Sequence, residues 1–168
     1  KKTMSKGLLV SDELITKVVE QRILFDDCNK GFILDGFPRT ITQANNFDKI
    51  IREKHILIKS VIQIDVPENI LLKRITGRQV CKKCFKIYNK YFNPFPKNGC
   101  KICGAKDIIT RNDDNENAFR NVRLKKYQEE TRPLLDYYSN NSLLYRVDGA
   151  GSVDKIAEKI FKFSQDTQ

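Results

Sequence analysis

The sequence predicts an α/β fold, a parallel sheet with helices packed on it, interrupted by one small cysteine-rich insertion. Three observations carry this. Short apolar runs with an acid at or next to their end recur at Phe32–Asp35, Val61–Val66 and Leu144–Asp148. Between them lie stretches whose apolar residues return at helical spacing. A pair of Cys-x-x-Cys motifs at 81–103 breaks that rhythm once. A length of 168 residues and an apolar content of 40% suit one core-forming domain with an insertion and exclude a disordered chain.

The elements follow in order. Residues 12–28 read as an amphipathic helix with Ser11 as N-cap, Asp12 and Glu13 in the first turn, and Leu14, Ile15, Val18, Val19 and Ile23 on one side. Lys30-Gly31 turns the chain into the apolar strand Phe32–Asp35, and Gly36-Phe37-Pro38-Arg39 ends it. Residues 40–54 form a helix along Ile41, Ala44, Phe47, Ile50 and Ile51, and His55 falls at its end with no catalytic part. The strand at 61–66 leads into a helix that starts at Pro67, carries Ile70, Leu71, Arg74 and Ile75, and stops near Gly77. After the insertion, a long helix is predicted from 115 to about 140, kinked or restarted at Pro133. A last strand ends at Asp148, and 152–164 close the chain as a helix. Ligands of such sheets bind at the carboxyl ends of the strands, where Asp35, Asp65 and Asp148 stand.

Composition narrows the classes of function. No apolar run reaches the ~18 residues that span a membrane, and the N-terminal stretch shows no signal-peptide pattern. Five cysteines, an odd number, argue for a reducing compartment and against a disulfide framework. Cys28 reads as a small, partly buried residue. Cys81, Cys84, Cys100 and Cys103 have the spacing of a four-thiolate zinc site, closed to further ligands and therefore structural; another thiophilic ion or a pair of disulfides is the alternative. A net charge of +10 attracts polyanions, whether nucleic acid, anionic lipid or phosphorylated small molecules. The lysines are spread along the chain, so charge alone does not choose.

Two further groups could do chemistry. In GFILDGFPRTITQA, Asp35 could hold a water of a phosphate-bound magnesium ion, Gly36 admits a ligand close to the backbone, Arg39 can fork onto a phosphate and Gln43 can offer a base a paired donor and acceptor. An ordinary strand–turn–helix with a surface arginine fits the same residues. Arg74 and Arg78 share a helix face, and Arg111, Arg120 and Arg123 flank Asp113-Asp114. Arginines converging on one cleft are what phosphoryl transfer needs, and convergence is a property of the fold.

LVSDEL, GFILDGFPRTITQA, DVPENILLKRITGR, the four-cysteine insertion with YFNPFPK, TRNDDNE, RLKKY and TRPLLDYY stand in this order along the chain. By them the sequence resembles the long-type adenylate kinases over nearly all of residues 1–165. The resemblance implies a P-loop-kinase-like parallel sheet with flanking helices plus a zinc-binding β lid. Its domains would be a core at 1–78, with an AMP-binding region in about residues 1–25, the lid at 79–112, and core again at 113–168. It implies phosphoryl transfer from Mg-ATP to AMP, giving two ADP. Leu8, Leu9, Val10, Gly36, Phe37, Pro38, Arg39 and Gln43 match AMP-binding positions. Arg74, Arg78, Ile87, Tyr88 and Gly151 match ATP-binding ones. Asp35 matches the acid of the Mg2+ shell, and Asp113 and Asp114 match a lid-hinge pair. Arg111 and Arg123 match the arginines that clamp the transferred group and also reach AMP, with Arg120 the other candidate for the second clamp. Zn2+ on the four cysteines would pin the lid, whose aromatics Phe85, Tyr88, Tyr91, Phe92 and Phe95 would pack its small sheet. The partners implied are the nucleotides alone, without nucleic acid or membrane, for a monomer in the cytoplasm or a mitochondrial space.

The sequence has no G-x-x-x-x-G-K-[ST], and the family's phosphate loop would lie upstream of Lys1. A GTP-using phosphotransferase of the same family is the nearest alternative. A zinc-ribbon nucleic-acid-binding protein explains the charge but not DGFPRT.

Overall fold

The computed structural model describes residues 11–166. Two compact units make it up. Among the described residues, one comprises 11–63 with Tyr127–Tyr145, the other Ile64–Lys126 with 146–166.

In the first unit, α1 (Asp12–Ile23) and α2 (Ile41–Glu53) pack together, followed in the chain by α5 (Pro133–Asn140). The Ser11 hydroxyl accepts from the Leu14 N–H, capping α1 as its sequence predicts. The chain leaves α1 through a 3₁₀ turn at Asp26–Cys28, where the sequence had suggested continued helix. There the Arg22 guanidinium grips the Asp27 carboxylate with both nitrogens, at 2.8 and 2.7 Å, and reaches the Cys28 sulfur. Cys28 is half-buried, as expected.

The core of this unit is Ile23, Phe47, Ile50 and Ile51, with Phe37 set edge-on to Phe47 at 5.4 Å. A second cluster joins Ala44 to Leu134 and Tyr138. Burial of this kind drives helix docking. Phe47→Ala is expected to lower the unfolding free energy by about 3–4 kcal/mol, read as a shift of the denaturation midpoint at constant slope.

The predicted strand at 32–35 does not form. The segment is extended, and its side chains alternate as a strand's would: Phe32 and Leu34 pack on the Phe47 cluster while Ile33 is 95% exposed. A strand exists through its ladder, and among the described residues none bonds to this one. Only the paired apolar runs became strands, β1 (Val61–Asp65) and β5 (Leu144–Asp148). The Val61 N–H donates to the Leu143 carbonyl at 2.8 Å and the Gly149 N–H to the Asp65 carbonyl at 2.7 Å. Both bonds advance in the same direction, so the pair is parallel, as the α/β pattern requires.

In the second unit Pro67 is the N-cap of α3 (Glu68–Thr76) rather than its first residue. Its ψ of 141° is that of the extended chain still entering the helix. The insertion is a three-stranded antiparallel sheet, with β2 (Arg78–Cys81) between β3 (Ile87–Asn89) and β4 (Ile108–Ile109). Gly77 joins α3 to it. A Cβ there would meet the Asn89 Oδ1 and the Lys73 carbonyl, each at 2.6 Å, so only glycine fits.

The long helix predicted from 115 begins as α4 (Glu116–Ala118), capped by Asn115, and then runs as π-helical turns at Phe119–Leu124 and Tyr127–Thr131. Pro133 restarts it as α5, since proline suits the first turn of a helix. The final helix, α6 (Val153–Asp166), lies where the sequence placed it.

Candidate active site

The turn at 35–43 is built around two residues with special demands. Gly36 has φ +70°, open to glycine and costly to other residues. The Arg39 Nε donates to the Gly36 carbonyl at 2.7 Å, and a Cβ on Gly36 would stand 2.7 Å from an Arg39 nitrogen. The backbone turn and the arginine are thus set by each other. Asp35 lies exposed at the bend, Phe37 is anchored in the Phe47 core and Pro38 follows by a cis bond. The Thr131 hydroxyl donates to the Arg39 carbonyl at 2.9 Å.

Thr40 caps α2 by accepting from the Gln43 N–H, and the Gln43 side chain reaches back to accept from the Arg39 N–H at 2.8 Å. This is a capping box displaced by one residue. The sequence signal Thr-x-x-Gln was available to announce it. Gln43 is buried, 4% exposed. Leu8, Leu9 and Val10 lie outside the described residues.

The second unit gathers the arginines. The Arg78 fork holds Asp114 with both nitrogens, at 2.7 and 2.6 Å. The Asp114 side chain is 2% exposed and also faces Arg123 at 3.5 Å. Arg123 bonds Asp113 as well, and Arg111 meets Asp113 at 3.2 Å. The hydrogen bond from Arg123 holds the Asp113 carboxyl below the usual carboxylate range, and that to Asp114 raises Arg78 further. Three implied site arginines therefore converge on one acid pair. Arg120, by contrast, pairs with Glu116 and Glu68, away from that pair. Arg123 stands on a π-helical turn, and such turns frequently occur at functional sites.

An open groove beside this cluster is lined by Arg74, Arg78, Ile87, Tyr88, Asn89, Phe92 and Asn93, so four of the five implied ATP residues share it. The Arg74 guanidinium donates to the Gly149 carbonyl at 2.8 Å, tying α3 to the loop of Gly151. Asn89 was not singled out in the sequence. Its amide donates to the last carbonyls of α3, those of Lys73 and Arg74, and fastens the helix end to the inserted sheet.

The four cysteines meet in the insertion. Cys81 and Cys103 stand 3.5 Å apart, as do Cys84 and Cys100, and all four sulfurs lie within 4.8 Å of one another. A tetrahedral zinc with Zn–S of about 2.3 Å needs sulfurs roughly 3.8 Å apart, so the set fits such an ion. Gly99 and Gly104, with φ of +103° and +68°, form the turn of the second pair. Four thiols this close do not ionise alike. The Tyr88 hydroxyl, 3.3 Å away, pulls the Cys100 thiol down to about 6. Cys84 is pushed up to about 12, because burial and its three neighbours outweigh the Lys86 N–H. A dication would allow all four to be thiolates.

Tyr88 is 2% exposed; its hydroxyl accepts a hydrogen bond from the Lys101 N–H and shares another with the Cys100 sulfur. Its hydroxyl thus serves the cysteine cluster. Phe95 packs edge-on against it at 5.0 Å. Phe85, Tyr91 and Phe92 do not pack this sheet as expected. Each is more than half exposed, since the cysteines already fill the small core.

No helix among the described residues is long and apolar enough to cross a membrane. The adenylate kinase family model matches residues 1–143. An adenylate kinase of Thermodesulfovibrio yellowstonii is 42% identical over 158 residues, covering 94% of this chain and 73% of that protein. One of Carboxydothermus hydrogenoformans is 44% identical over 161 residues, covering 95% and 74%. One of Clostridium novyi is 42% identical over 161 residues, with the same coverage. This chain spans about three quarters of the length of each. With the arginine–carboxylate cluster and the lid-like four-cysteine sheet, these matches establish that the chain belongs to the adenylate kinase family, nucleoside monophosphate kinases that are phosphotransferases.

Proposed function

We propose that this protein transfers a phosphoryl group from Mg-ATP to AMP, giving two ADP. The observation that carries the reading is the convergence of Arg78, Arg111 and Arg123 on Asp113 and Asp114. Phosphoryl transfer is catalysed mainly by positioning and by charge neutralisation, and a group of arginines held by carboxylates can turn to phosphate oxygens without a desolvated cation being left unpaired.

In this reading Arg74, Arg78, Ile87, Tyr88 and Gly151 hold ATP. Gly36, Phe37, Pro38, Arg39 and Gln43, with Leu8, Leu9 and Val10, hold AMP. Asp35 orients the water shell of the Mg2+ that enters with ATP. Arg111 and Arg123 clamp the transferred group, Arg123 rather than Arg120, because Arg123 shares the Asp113–Asp114 pair with Arg78 and Arg111 while Arg120 pairs with Glu68 and Glu116 away from it. Zn2+ on Cys81, Cys84, Cys100 and Cys103 stiffens a lid at 79–112, which keeps water from the phosphates. The need for free thiols on that ion favours a reducing compartment such as the cytoplasm, and the protein works as a monomer.

The test is ADP formation from AMP by the full-length protein, with Mg-ATP and with Mg-GTP as donor. Turnover with ATP is expected. Turnover with GTP alone would move the assignment to a GTP:AMP phosphotransferase, and none with either donor from folded, zinc-loaded protein would overturn it.

A further inference from the structure

A polar cluster around Gln43, built on Asp12 and Thr40, joins the start of α1 to the start of α2. Each oxygen of the Asp12 carboxylate accepts one hydrogen bond. The Thr40 hydroxyl donates to Oδ2 and the Gln43 Nε2 to Oδ1, both at 2.7 Å. The other end of the Gln43 amide, Oε1, accepts from the Arg39 N–H at 2.8 Å. The amide is therefore held at both ends, in a side chain only 4% exposed.

We infer that Asp12 is a positioning residue that sets which purine monophosphate the site accepts, by locking the Gln43 amide in one of its two orientations. This rests on Gln43 reading the acceptor base. Turning the amide over would set Oε1 against the Asp12 carboxylate and Nε2 against the Arg39 N–H. Two acceptors would meet at one end and two donors at the other, and the bond lost at Asp12 is charge-assisted. So the flipped state is excluded.

The locked amide keeps one N–H and one oxygen lone pair unused. Adenine presents an amino donor beside a ring-nitrogen acceptor, which matches Oε1 and Nε2 in their fixed order. Hypoxanthine presents a carbonyl acceptor beside a ring N–H donor, the reverse order. With ribose and phosphate held, the base cannot turn over to compensate, and the lock prevents the amide from doing so. A site of committed polar groups rejects the mismatched partner strongly.

Asp12→Asn has nearly the same shape and removes the lock at one end. Its amide can accept from Nε2 or, turned, donate to Oε1, so only the Arg39 N–H still opposes the flipped orientation of Gln43. The experiment measures kcat and KM with Mg-ATP and either AMP or IMP as acceptor, on the full-length protein and its Asp12→Asn, Asp12→Ala and Gln43→Ala variants, with melting temperatures alongside. Asp12→Asn is expected to raise the IMP/AMP ratio of kcat/KM about 10-fold, chiefly through KM. A Gln43→Ala ratio equal to that of the unaltered protein would show that Gln43 does not read the base, and the proposal would fall with that reading. A ratio raised by Gln43→Ala but untouched by either Asp12 variant would overturn the role of Asp12 alone. Equal losses with AMP and IMP in the Asp12 variants, tracking a lower melting temperature, would reduce Asp12 to a structural contact and also overturn it.

Discussion

Cys100→Ser is expected to strip the inserted sheet of its metal and to melt it. Serine offers a neutral hydroxyl in place of a thiolate, and zinc affinity for the remaining three thiolates should fall at least about 100-fold. Little else holds this part of the chain together. Its buried core is Cys81, Tyr88 and Cys100, with Cys84, Phe95, Cys103 and Ala105 against them, and β4 is two residues long. A core this small contributes only a few kcal/mol, whereas a structural zinc supplies apparent binding energies of about 10–16 kcal/mol in small metal-folded peptides. The readouts are zinc per chain by elemental analysis and the melting curve. Zinc content and melting both unchanged would rule out the four-cysteine site as the lid's cross-link. The substitution also removes the sulfur that accepts from Tyr88, so the Tyr88 ring should become mobile in the same variant.

Arg78→Lys is expected to lower turnover about 10²–10³-fold, the usual cost of one lost charge-stabilising donor. Lysine keeps a charge but not the planar fork that holds Asp114 with two nitrogens. Stability and catalysis can be told apart. Arg78→Ala leaves the Asp114 carboxylate, 2% exposed, with Arg123 at 3.5 Å as its remaining cation. Breaking a buried pair from one side costs up to about 3–5 kcal/mol, and the 27% exposure of the Arg78 side chain puts this case at the lower end. Adding Asp114→Asn removes the uncompensated charge. The double variant should regain much of the melting temperature and none of the turnover. Recovery of both together would mean that Arg78 acts only on the fold.

Much of the architecture was legible in the residues. Helix starts were written in local signals, the Ser11 cap of α1 and Pro133 in the first turn of α5, because each acts within one turn of chain. The cysteine spacing announced the four-cysteine cluster for the same reason: each Cys-x-x-Cys is a local pair, and only the meeting of the two pairs needed the fold. Phe32–Asp35 read as a strand and is none among the described residues. Its composition is right, but a ladder partner is a property of another segment. The helix predicted from 115 loosened into π turns, which 3.6-residue periodicity cannot distinguish from α.

By itself the sequence determined the family, the parallel α/β pattern, the four-cysteine cluster that could hold a metal ion and the set of arginines suited to phosphate. Residue type and short-range spacing suffice for these. Only the tertiary structure decided which arginines meet, Arg78, Arg111 and Arg123 on Asp113 and Asp114 while Arg120 turns to Glu68. It alone turned the Tyr88 hydroxyl to Cys100 and set Asp12 against a glutamine 31 positions away. Side chains distant in sequence become partners only when packing fixes both backbones, and hydrogen-bond strength depends on tenths of an ångström and on the angle between them.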